Sequence, residues 1–465
     1  MKPATIVFTF SSILMAGGVH AQLPVPAPIQ IAEPLTLQQA VKIAVSRQPS
    51  LGAATATRQA SEARLRQTQS AYQPRVTPTY TFQQLDSTGI VNQILPGGIV
   101  VPVQQSRSVT TRQEDLSLSL RLFDTGTRDM NARQGRQSLI SSELAEANIR
   151  QTVIGNVADT FYAALRSQAL VDVSRSQVDR AKNTLDLVTA QIEAGVAAKK
   201  DDLQPRADYL NAQVTLLQAE NNAQIALTQL RSAMGIIDNI PLTLSKIDMP
   251  AVDRKLTADV PVQQGLTSPA VISQIVKKAF ETRPDIKQAE MTADIAATGV
   301  RIAKISSGVN VTADIAARYQ FDAANDPLRS IGNNQQLTLS ATYPLFDGGN
   351  VRNGVRAAEA QQRSQEYNVQ SQRQNVALEV EQAIRNLEQS RLSLPATQAA
   401  LEAAQNAYDK AVESKKEGIG SVVEIITAQT ALVQSQTNAV QAIFNYYSAD
   451  ARLARVLGQS ERIAQ

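Results

Sequence analysis

The chain has 465 residues with no cysteine and one histidine, His20, and its 45 Lys and Arg nearly balance its 42 Asp and Glu. The lack of cysteine excludes a disulfide framework and a lipid-anchoring thiol, and so little His and Cys leaves no usual catalytic base, thiol nucleophile or soft metal ligand. The near-neutral charge, without a basic cluster that contains aromatics, argues against a nucleic-acid partner. We therefore expect a protein that is not an enzyme and that binds no cofactor or metal.

The first 21 residues have the features of a secretory signal peptide. A basic head at Lys2 precedes a mostly apolar run over residues 6–15, and residues 19–21 match the pattern of a cleavage site. A membrane anchor is the alternative, but a spanning helix needs about 20 apolar residues. The mature chain is predicted to begin at Gln22, and no later apolar run is long enough for a membrane-spanning helix.

Two helices and a strand hairpin are predicted next. The helices cover residues 36–47 and 49–72, and prolines mark their boundaries. Apolar and polar residues alternate over 76–82 and again over 116–122, which indicates two strands that each have one apolar face. Residues 95–98, Leu-Pro-Gly-Gly, provide a turn signal between them.

A long helical hairpin follows the strands. Residues 127–193 are rich in Ala, Gln, Glu, Leu and Arg and nearly free of Gly and Pro, which predicts one helix roughly 100 Å long. Gly195 is expected to end this helix at the tip of the hairpin. The return helix, over residues 202–234, has about half that length. The helix at 49–72 is therefore predicted to stack on the return helix and complete the second row.

The same order of elements recurs in the second half of the chain. Residues 122–126, Leu-Phe-Asp-Thr-Gly, return as residues 345–349, Leu-Phe-Asp-Gly-Gly, and Phe346 follows Phe123 by 223 residues. The same offset relates Gly195 to the second tip glycine, Gly418. A constant offset predicts two matched long helical hairpins.

The second copy is predicted to contain a helix at 284–307, strands at 311–321 and 337–343, a long helix at 350–417 and a return helix at 422–456. Its strand hairpin is shorter than the first by 12 residues, because the offset between the copies falls from 235 before the strands to 223 after them. We divide the chain into a signal peptide (1–21), a first repeat (22–235), an equatorial linker (236–269), a second repeat (270–458) and a C-terminal tail (459–465). Four prolines in the linker break both periodicities, so we expect it to pack outside the long helices near mid-height.

The predicted strands fit a membrane as well as a soluble sheet. Each has one apolar and one polar face, with Tyr and Phe near one end, as transmembrane strands do. A soluble sandwich with one wet face is the alternative. Two hairpins supply only four strands, which are too few to close a barrel that hides its edges from lipid. If these strands span a membrane, the protein must oligomerise.

The signal peptide, duplicated hairpins, Leu-Phe-Asp-x-Gly junctions, matched long helices and glycine turns together resemble the TolC-like outer-membrane channel family over nearly the whole mature chain. The resemblance implies a mainly α fold with a membrane β-barrel portion. Four strands per protomer would contribute to a trimeric β-barrel in the outer membrane, and long helical hairpins would form a periplasmic α-barrel. It also implies a homotrimer, in contact with outer-membrane lipid, that works with a periplasmic adaptor protein and an inner-membrane pump.

In the family that the chain resembles, acidic residues just after the glycine turns form rings in the narrowed periplasmic entrance. The matching positions are Asp201 and Glu424, each six residues past its glycine. A further acidic position, one helical turn beyond Glu424, is Thr427 here, which leaves a double ring in doubt. A single ring would favour cations. The alternative is that acidic residues simply suit the first turn of a helix.

Basic pairs flank the same turns and are the candidate adaptor contacts: Lys199, Lys200, Lys415 and Lys416. Exposed lysines that are merely solvated are the alternative. The sequence thus favours a passive outer-membrane exit duct of a tripartite efflux system for small toxic compounds. The alternatives are the outer-membrane duct of a type I protein secretion system and a periplasmic coiled-coil scaffold without a pore. The four alternating strands argue against the scaffold.

Overall fold

The computed structural model describes residues 34–245, 268–322 and 333–464. The predicted signal peptide and most of the predicted linker lie outside these ranges. The first copy comprises α1 (Leu37–Arg47), α2 (Pro49–Gln69), β1 (Arg75–Leu95), β2 (Ile99–Phe123), α3 (Thr127–Glu193) and α4 (Leu203–Ala233). The second comprises α5 (Pro269–Thr282), α6 (Pro284–Ile305), β3 (Asn310–Asp322), β4 (Asn333–Thr342), α7 (Asn350–Lys416) and α8 (Val422–Val456). None of the helices in these ranges is long and apolar enough to cross a membrane.

The predicted helices are confirmed to within a few residues. α3 and α7 are each unbroken over 67 residues. At 1.5 Å per residue both are roughly 100 Å long. In α2 and α6 the α-helix ends two or three residues before the predicted limit, and α2 is followed by a short 3₁₀ turn at Ser70–Tyr72.

The first strand hairpin is much longer than predicted. β1 has 21 residues and β2 has 25, whereas the alternating pattern covered only residues 76–82 and 116–122. Polar pairs and Gly89 interrupt the period-two pattern toward the turn, yet antiparallel pairing continues without a break to Leu95 and Ile99. Backbone pairing therefore extends the strands where side-chain alternation gives no signal. The predicted turn is confirmed, since Gly97 and Gly98 have positive φ angles of 107° and 82°.

The four strands form one antiparallel sheet in the order β1-β2-β3-β4, so the two hairpins lie side by side. The soluble sandwich alternative is wrong for the described residues, because a sandwich needs two facing sheets and these strands form one. Within the protomer, β1 and β4 are the edge strands. The shorter β3–β4 hairpin accounts for the 12-residue difference between the copies.

Each long helix begins at the repeated Leu-Phe-Asp-x-Gly motif because its aspartate caps the helix. The Asp124 carboxylate accepts the backbone N–H groups two and four residues further on, at 3.2 and 3.1 Å, and Asp347 does the same at 2.8 Å for both. These hydrogen bonds lower the pKa of Asp347 below its ordinary value. The glycines that follow, Gly126 and Gly349, have φ angles of 89° and 84°, which favour glycine.

The helices form a layer that continues from the sheet. In the half near the sheet the order across the layer is α2, α3, α6, α7, and in the tip half it is α4, α3, α8, α7. The short helices stack end to end as predicted. Gln48, before α2, donates a side-chain hydrogen bond to the carbonyl of Ala233 at the end of α4 (3.3 Å). Thr282, before α6, donates to the carbonyl of Leu457 after α8 (2.7 Å).

The main apolar core lies at mid-height, where these junctions meet. Phe161, Leu230 and Met234 are almost completely buried there. Burying each such side chain contributes about 1.5–3 kcal/mol. The described start of the linker packs on the same core, and the backbone N–H of Leu35 donates to the carbonyl of Thr243 (2.8 Å). Chain segments outside the long helices thus thicken the layer at this level.

Candidate functional site at the sheet face and the helical tips

One face of the sheet is apolar across all four strands. Leu118 of β2 pairs with Val76 of β1 and with Ile315 of β3, and Ile315 pairs with Leu337 of β4. Directly paired residues lie on the same face, so these side chains form a continuous apolar row. No part of the chain that the structure describes covers the row, and Leu337 is 72% exposed. An exposed apolar surface of this extent marks contact with lipid or with another protein.

The opposite face is polar at the same level. Thr77 of β1 pairs with Ser117 of β2, and Ser119 pairs with Asp314 of β3, which pairs with Thr338 of β4. Nearer the turns, Asp115 and Arg318 form an ion pair across β2 and β3 at 2.8 Å. A sheet with one apolar and one hydrophilic face suits a wall between lipid and water.

Aromatic side chains lie at both ends of the apolar face. Tyr80 and Phe82 lie toward the turn of the first hairpin, whereas Phe123 and Tyr343 lie toward the helices. All four are exposed in the protomer. Aromatic girdles at the two membrane–water interfaces are typical of transmembrane strands. The aromatic ends therefore mark the limits of a candidate membrane-spanning band.

The two long hairpins end in the same type of turn. Val196 and Ile419 donate backbone hydrogen bonds to carbonyls five residues back (2.9 and 3.1 Å), and Gly195 and Gly418 donate to carbonyls three residues back (3.0 and 3.2 Å). This is the Schellman arrangement, which needs a left-handed residue just past the helix end. The φ angles of Gly195 and Gly418 are 76° and 81°. The prediction that glycines end both helices is confirmed.

Both tips lie at the same end of the layer. The neighbouring helices α3 and α8 run antiparallel, since the Tyr162 ring stacks on Tyr447 at 5.5 Å and Gly155 of α3 lies beside Arg455. As residue numbers rise along α3 they therefore fall along α8, and the numbers of two facing residues have a nearly constant sum. The same sum brings Gly195 level with Gly418.

The structure separates the two acidic candidates by what their carboxylates contact. Asp201, in a 3₁₀ turn, accepts the backbone N–H of Ala198 at 3.1 Å, so its side chain stabilises the tip locally. Glu424, in the first turn of α8, donates its backbone N–H to Ser421 Oγ (3.1 Å). Within the described ranges its exposed carboxylate has no hydrogen bond or ion pair. Its position in the protomer leaves the charge available to another chain or to passing ions.

The lysines flank the tips as expected. Lys199, Lys200 and Lys416 are exposed and Lys415 is half-buried, and none forms an ion pair with the part of the chain that is described. Between them, Val196, Ile419 and Val423 expose large apolar side chains, with Ile419 80% exposed. Sequence reasoning missed these three residues, although apolar residues next to a glycine turn could have indicated a contact surface.

Sequence reasoning also missed the free edges of the helical layer. The face of α4 opposite α3 carries four exposed apolar residues at spacings of seven, four and three: Leu203, Leu210, Val214 and Leu217. The residues of α4 that are buried against α3, such as Ala212, lie on the other side. A heptad-spaced stripe is typical of a helix that packs on two neighbouring helices, and the described helices of the protomer provide only one, α3.

The other free edge of the tip half is α7, and there the exposed residues are small. Four alanines with the same alternating spacing of four and three form its stripe: Ala396, Ala400, Ala403 and Ala407. Small residues in such a stripe allow another helix to approach closely. The exposed stripes at the two edges of one protomer therefore carry side chains of different size, large on α4 and small on α7, but have the same spacing along the helix.

Two partly buried carboxylates at mid-height have opposite pKa shifts. Asp285 loses solvation, which alone would raise its pKa, but bidentate hydrogen bonds and attraction from Arg283 (2.6 and 2.9 Å) lower the pKa below the ordinary value. Burial raises the pKa of Asp159, and Arg452, at 3.9 Å, only partly opposes this effect. Relative to the unfolded chain, folding thus stabilises the charged form of Asp285 and destabilises the charged form of Asp159.

Comparison with known proteins identifies the family to which this chain belongs. The family model described as outer membrane efflux protein matches residues 40–236 and 275–459. The chain belongs to the outer membrane efflux protein family. The first match runs from α1 to the end of the first helical hairpin, and the second runs from α5 to the end of α8, so each covers one copy of the duplication. Members of this family are transport proteins of the outer membrane and not enzymes.

Curated relatives in the outer membrane efflux protein family are distant. Protein CyaE of Bordetella pertussis is 22% identical over 74% of this chain and 67% of its own length. The pyoverdine export outer membrane protein OpmQ of Pseudomonas putida is 23% identical over 55% of this chain, and outer membrane protein TolC of Escherichia coli is 24% identical over 45%. The matches span only 51% and 42% of these two relatives.

Solved structures of outer membrane proteins share the fold over most of the chain. CusC superposes with a TM-score of 0.73 at 17% identity over 91% of this chain and 92% of that one. VceC of Vibrio cholerae superposes with a TM-score of 0.71 at 17% identity, over 91% of this chain and 96% of that one. At this identity the likeness establishes the TolC-like fold, with its long helices and small antiparallel sheet.

Proposed function

We propose that the protein is the outer-membrane exit duct of a tripartite efflux system and that it releases small toxic compounds through a channel formed by several copies. The observation that carries this proposal is the sheet, with one apolar face, one polar face and two unpaired edge strands. Such a sheet suits a segment of a membrane barrel around an aqueous pore. The helical layer continues from this sheet at the Asp124 and Asp347 junctions. A cylinder of these helices would extend the same channel through the periplasm.

The assembly that we propose is a homotrimer. Pairing of β1 with β4 of the next copy, head to tail, would satisfy both free edges and close into a ring after a whole number of copies. Three copies give twelve strands, within the range of known transmembrane barrels. The wall then has its apolar face toward lipid and its polar face toward the pore. The wall itself selects little, so the duct is passive.

The helical edges support the same head-to-tail arrangement in the tip half. Contact between Arg175 of α3 and Glu220 of α4 (3.6 Å) sets the height of α4, and the 223-residue offset sets the height of α7. At this height the large stripe from Leu210 to Leu217 on α4 faces the alanine stripe on α7 of the next copy. Large side chains would fill the spaces that alanines leave, as knobs fill holes in a coiled coil.

In the half near the sheet the arrangement is reversed, with large side chains on α7 and small ones on the opposite edge helix, α2. There α7 exposes Tyr367 (70%) and Leu378, whereas α2 exposes small residues at helical spacing, including Gly52, Ala56 and Ala60. The hydrogen bond between Ser61 of α2 and Ser142 of α3 (2.7 Å) brings Tyr367 level with this small stripe. Both halves of the edge therefore support the same neighbour at the same height.

At the tips we propose that Glu424 of three copies forms an acidic ring that narrows the periplasmic entrance. Its free carboxylate supports this role, and three like charges close to one axis would focus a negative potential and favour cations. Asp201 is the weaker gate candidate because its carboxylate is already used by Ala198. The glycine turns at Gly195 and Gly418 hold these residues at the end of the cylinder.

The same tips are the proposed contact for a periplasmic adaptor protein that joins the duct to an inner-membrane pump. The exposed side chains of Val196 and Ile419 supply apolar area for such a contact, and the three exposed lysines beside them supply positive charge that would favour an acidic partner surface. We also retain the predicted division into two repeats, 22–235 and 270–458, around a linker at 236–269. The linker's described start, on the mid-height core, supports this division.

The names of relatives support small compounds as the cargo. Among those whose names point to a small compound, two are pyoverdine export proteins, one is a fusaric acid resistance protein and one belongs to a solvent efflux pump. Deletion of the gene should raise the accumulation of a lipophilic dye in cells several-fold, and the wild-type gene should restore efflux. Unchanged dye accumulation together with loss of a secreted protein from the medium would contradict this cargo and would favour a protein secretion duct.

A further inference from the structure

The outer part of the first strand hairpin extends beyond the rest of the sheet. Pairing of β2 with β3 ends at Arg112, whereas β1 and β2 continue together to the turn at Gly97 and Gly98. We name residues 84–95 and 99–111 the distal ribbon. At about 3.3 Å per residue the distal ribbon is roughly 40 Å long. No described strand pairs with either of its edges.

The tip of the distal ribbon is apolar on both faces. Its sequence has no charged residue between Asp86 and Arg107. Because paired residues share a face, the register assigns the apolar side chains. One face carries Val91, Leu95, Ile99 and Val103, and the other carries Ile90, Ile94 and Val100. Ile90 and Ile94 are 75% and 73% exposed in the protomer.

The apolar tip of the distal ribbon must be buried against lipid or protein. An isolated two-stranded hairpin is marginally stable in water at best. Unpaired strand edges with uncharged β-branched side chains also promote aggregation. The tip must therefore be covered in the assembled protein.

The polar face of the four-stranded sheet continues into one face of the distal ribbon, and the residues on that face indicate on which side the tip is buried. In the four-stranded part this face carries Thr77 and Thr81, whereas in the ribbon it carries Val91 and Leu95. A wall around an aqueous pore gains nothing from large apolar residues. If the ribbons of several copies pack against one another across the pore, these apolar residues become buried.

We propose that the distal ribbons of three copies lean toward the channel axis and pack their tips together, so that an apolar constriction closes the outer mouth. This inference rests on the trimeric duct of the proposed function. A barrel of twelve strands about 4.8 Å apart and tilted by about 40° has a radius of roughly 12 Å. Each ribbon, at roughly 40 Å, is long enough to reach the axis. Apolar constrictions exclude ions because water withdraws from them.

Cysteine cross-linking tests this closure directly, since the chain has no native cysteine. Leu95→Cys places thiols at the tips, and Gln84→Cys places them at the base of the ribbon, roughly 20 Å apart for copies on a circle of that radius. Under mild oxidation of outer membranes, Leu95→Cys should give disulfide-linked dimers at least tenfold more abundantly than Gln84→Cys. A three-fold axis allows two of every three copies to be linked. Reduction should raise the conductance of the linked channel.

The closure is overturned if Leu95→Cys links no better than Gln84→Cys. Labelling of intact cells with a bulky maleimide then distinguishes a bare tip, which reacts, from a tip that lipid or another protein covers, which does not. Ile94→Cys, on the other face, repeats the test if Leu95→Cys fails to assemble. Conductance of the wild-type protein separates this result from failure of the duct, because a duct without tip contacts still conducts.

Discussion

Glu424 and Asp201 occupy equivalent positions in the two copies, but among the residues that the structure describes only Asp201 has a hydrogen-bond partner for its carboxylate. In planar bilayers, Glu424→Gln should reduce the preference for cations several-fold, because three negative charges leave the entrance. Asp201→Asn removes the same number of charges and is the matched control. It should have the smaller effect on selectivity, because the Asp201 carboxylate is held by the backbone of its own turn. Equal effects of the two variants on the reversal potential would contradict a special role for Glu424.

Asp285 should make stability depend on pH. Its pKa is lowered in the folded protein, so its contribution is complete above the unfolded value near 4 and is lost as the pH falls through the folded pKa. Asp285→Asn should therefore destabilise the protein at neutral pH, by roughly 2 kcal/mol for a partly buried ion pair. The gap from wild type should close below about pH 4.

Thermal denaturation across this pH range measures that effect. Ser50→Ala changes the equivalent residue of the first copy, which has no such ion pair, and is the control. A difference between Asp285→Asn and wild type that is the same at pH 3 and pH 7 would show that the charge of Asp285 does not carry the effect.

Asp159 should behave in the opposite way. Burial raises its pKa, so the wild type loses stability as the pH rises from the unfolded value near 4 through the folded pKa. Asp159→Asn should raise the denaturation midpoint at pH 7, on the order of a few degrees, and should have no effect at acidic pH. Asp172→Asn, at an exposed position of the same helix, is the control. A lower midpoint for Asp159→Asn at pH 7 would show that attraction from Arg452 outweighs burial.

At the scale of elements, the helical edges determine assembly. Leu217 of α4 is 68% exposed in the protomer, and in the proposed trimer it packs on the alanine stripe of α7. Leu217→Lys should therefore raise the monomer fraction in mild detergent roughly tenfold or more, since burying an unpaired charge costs more than about 1.4 kcal/mol. Light scattering coupled to size-exclusion chromatography measures this fraction.

Asn222→Lys provides the matched control on the same helix. Asn222 is exposed but lies about a quarter turn away from the stripe of Leu203 to Leu217. The control should remain trimeric. If Leu217→Lys remains trimeric as well, or if both variants dissociate, the α4 stripe is not the interface.

Elements with a strong period were predictable from the sequence. The limits of α3 matched the prediction, because a run with no Pro and only two Gly, followed by a terminal glycine, leaves little choice. The first hairpin was underestimated, since its outer strands lack alternation and depend on pairing with each other. The free edges were missed because an exposed stripe is recognisable only after the buried face of the same helix is known.

At the scale of the whole molecule, the candidate site depends on placement that one sequence does not contain. The positions of Glu424 and Asp201 were predictable from their distance to the glycines, but the different use of their carboxylates was not. The continuous apolar face required the register between the two hairpins, which are separated by almost 200 residues. The duplication, in contrast, was predictable because the constant offset between equivalent residues can be read from the sequence alone.

Single-channel conductance of the detergent-purified, mature wild-type protein in a planar bilayer is the first measurement to make. We expect discrete, cation-preferring current steps from trimeric protein, each while the distal ribbons are apart, and no such steps from the dissociated Leu217→Lys variant. A wild-type protein that stays soluble without detergent and produces no steps would contradict the exit duct. That result would instead favour a periplasmic scaffold without a pore.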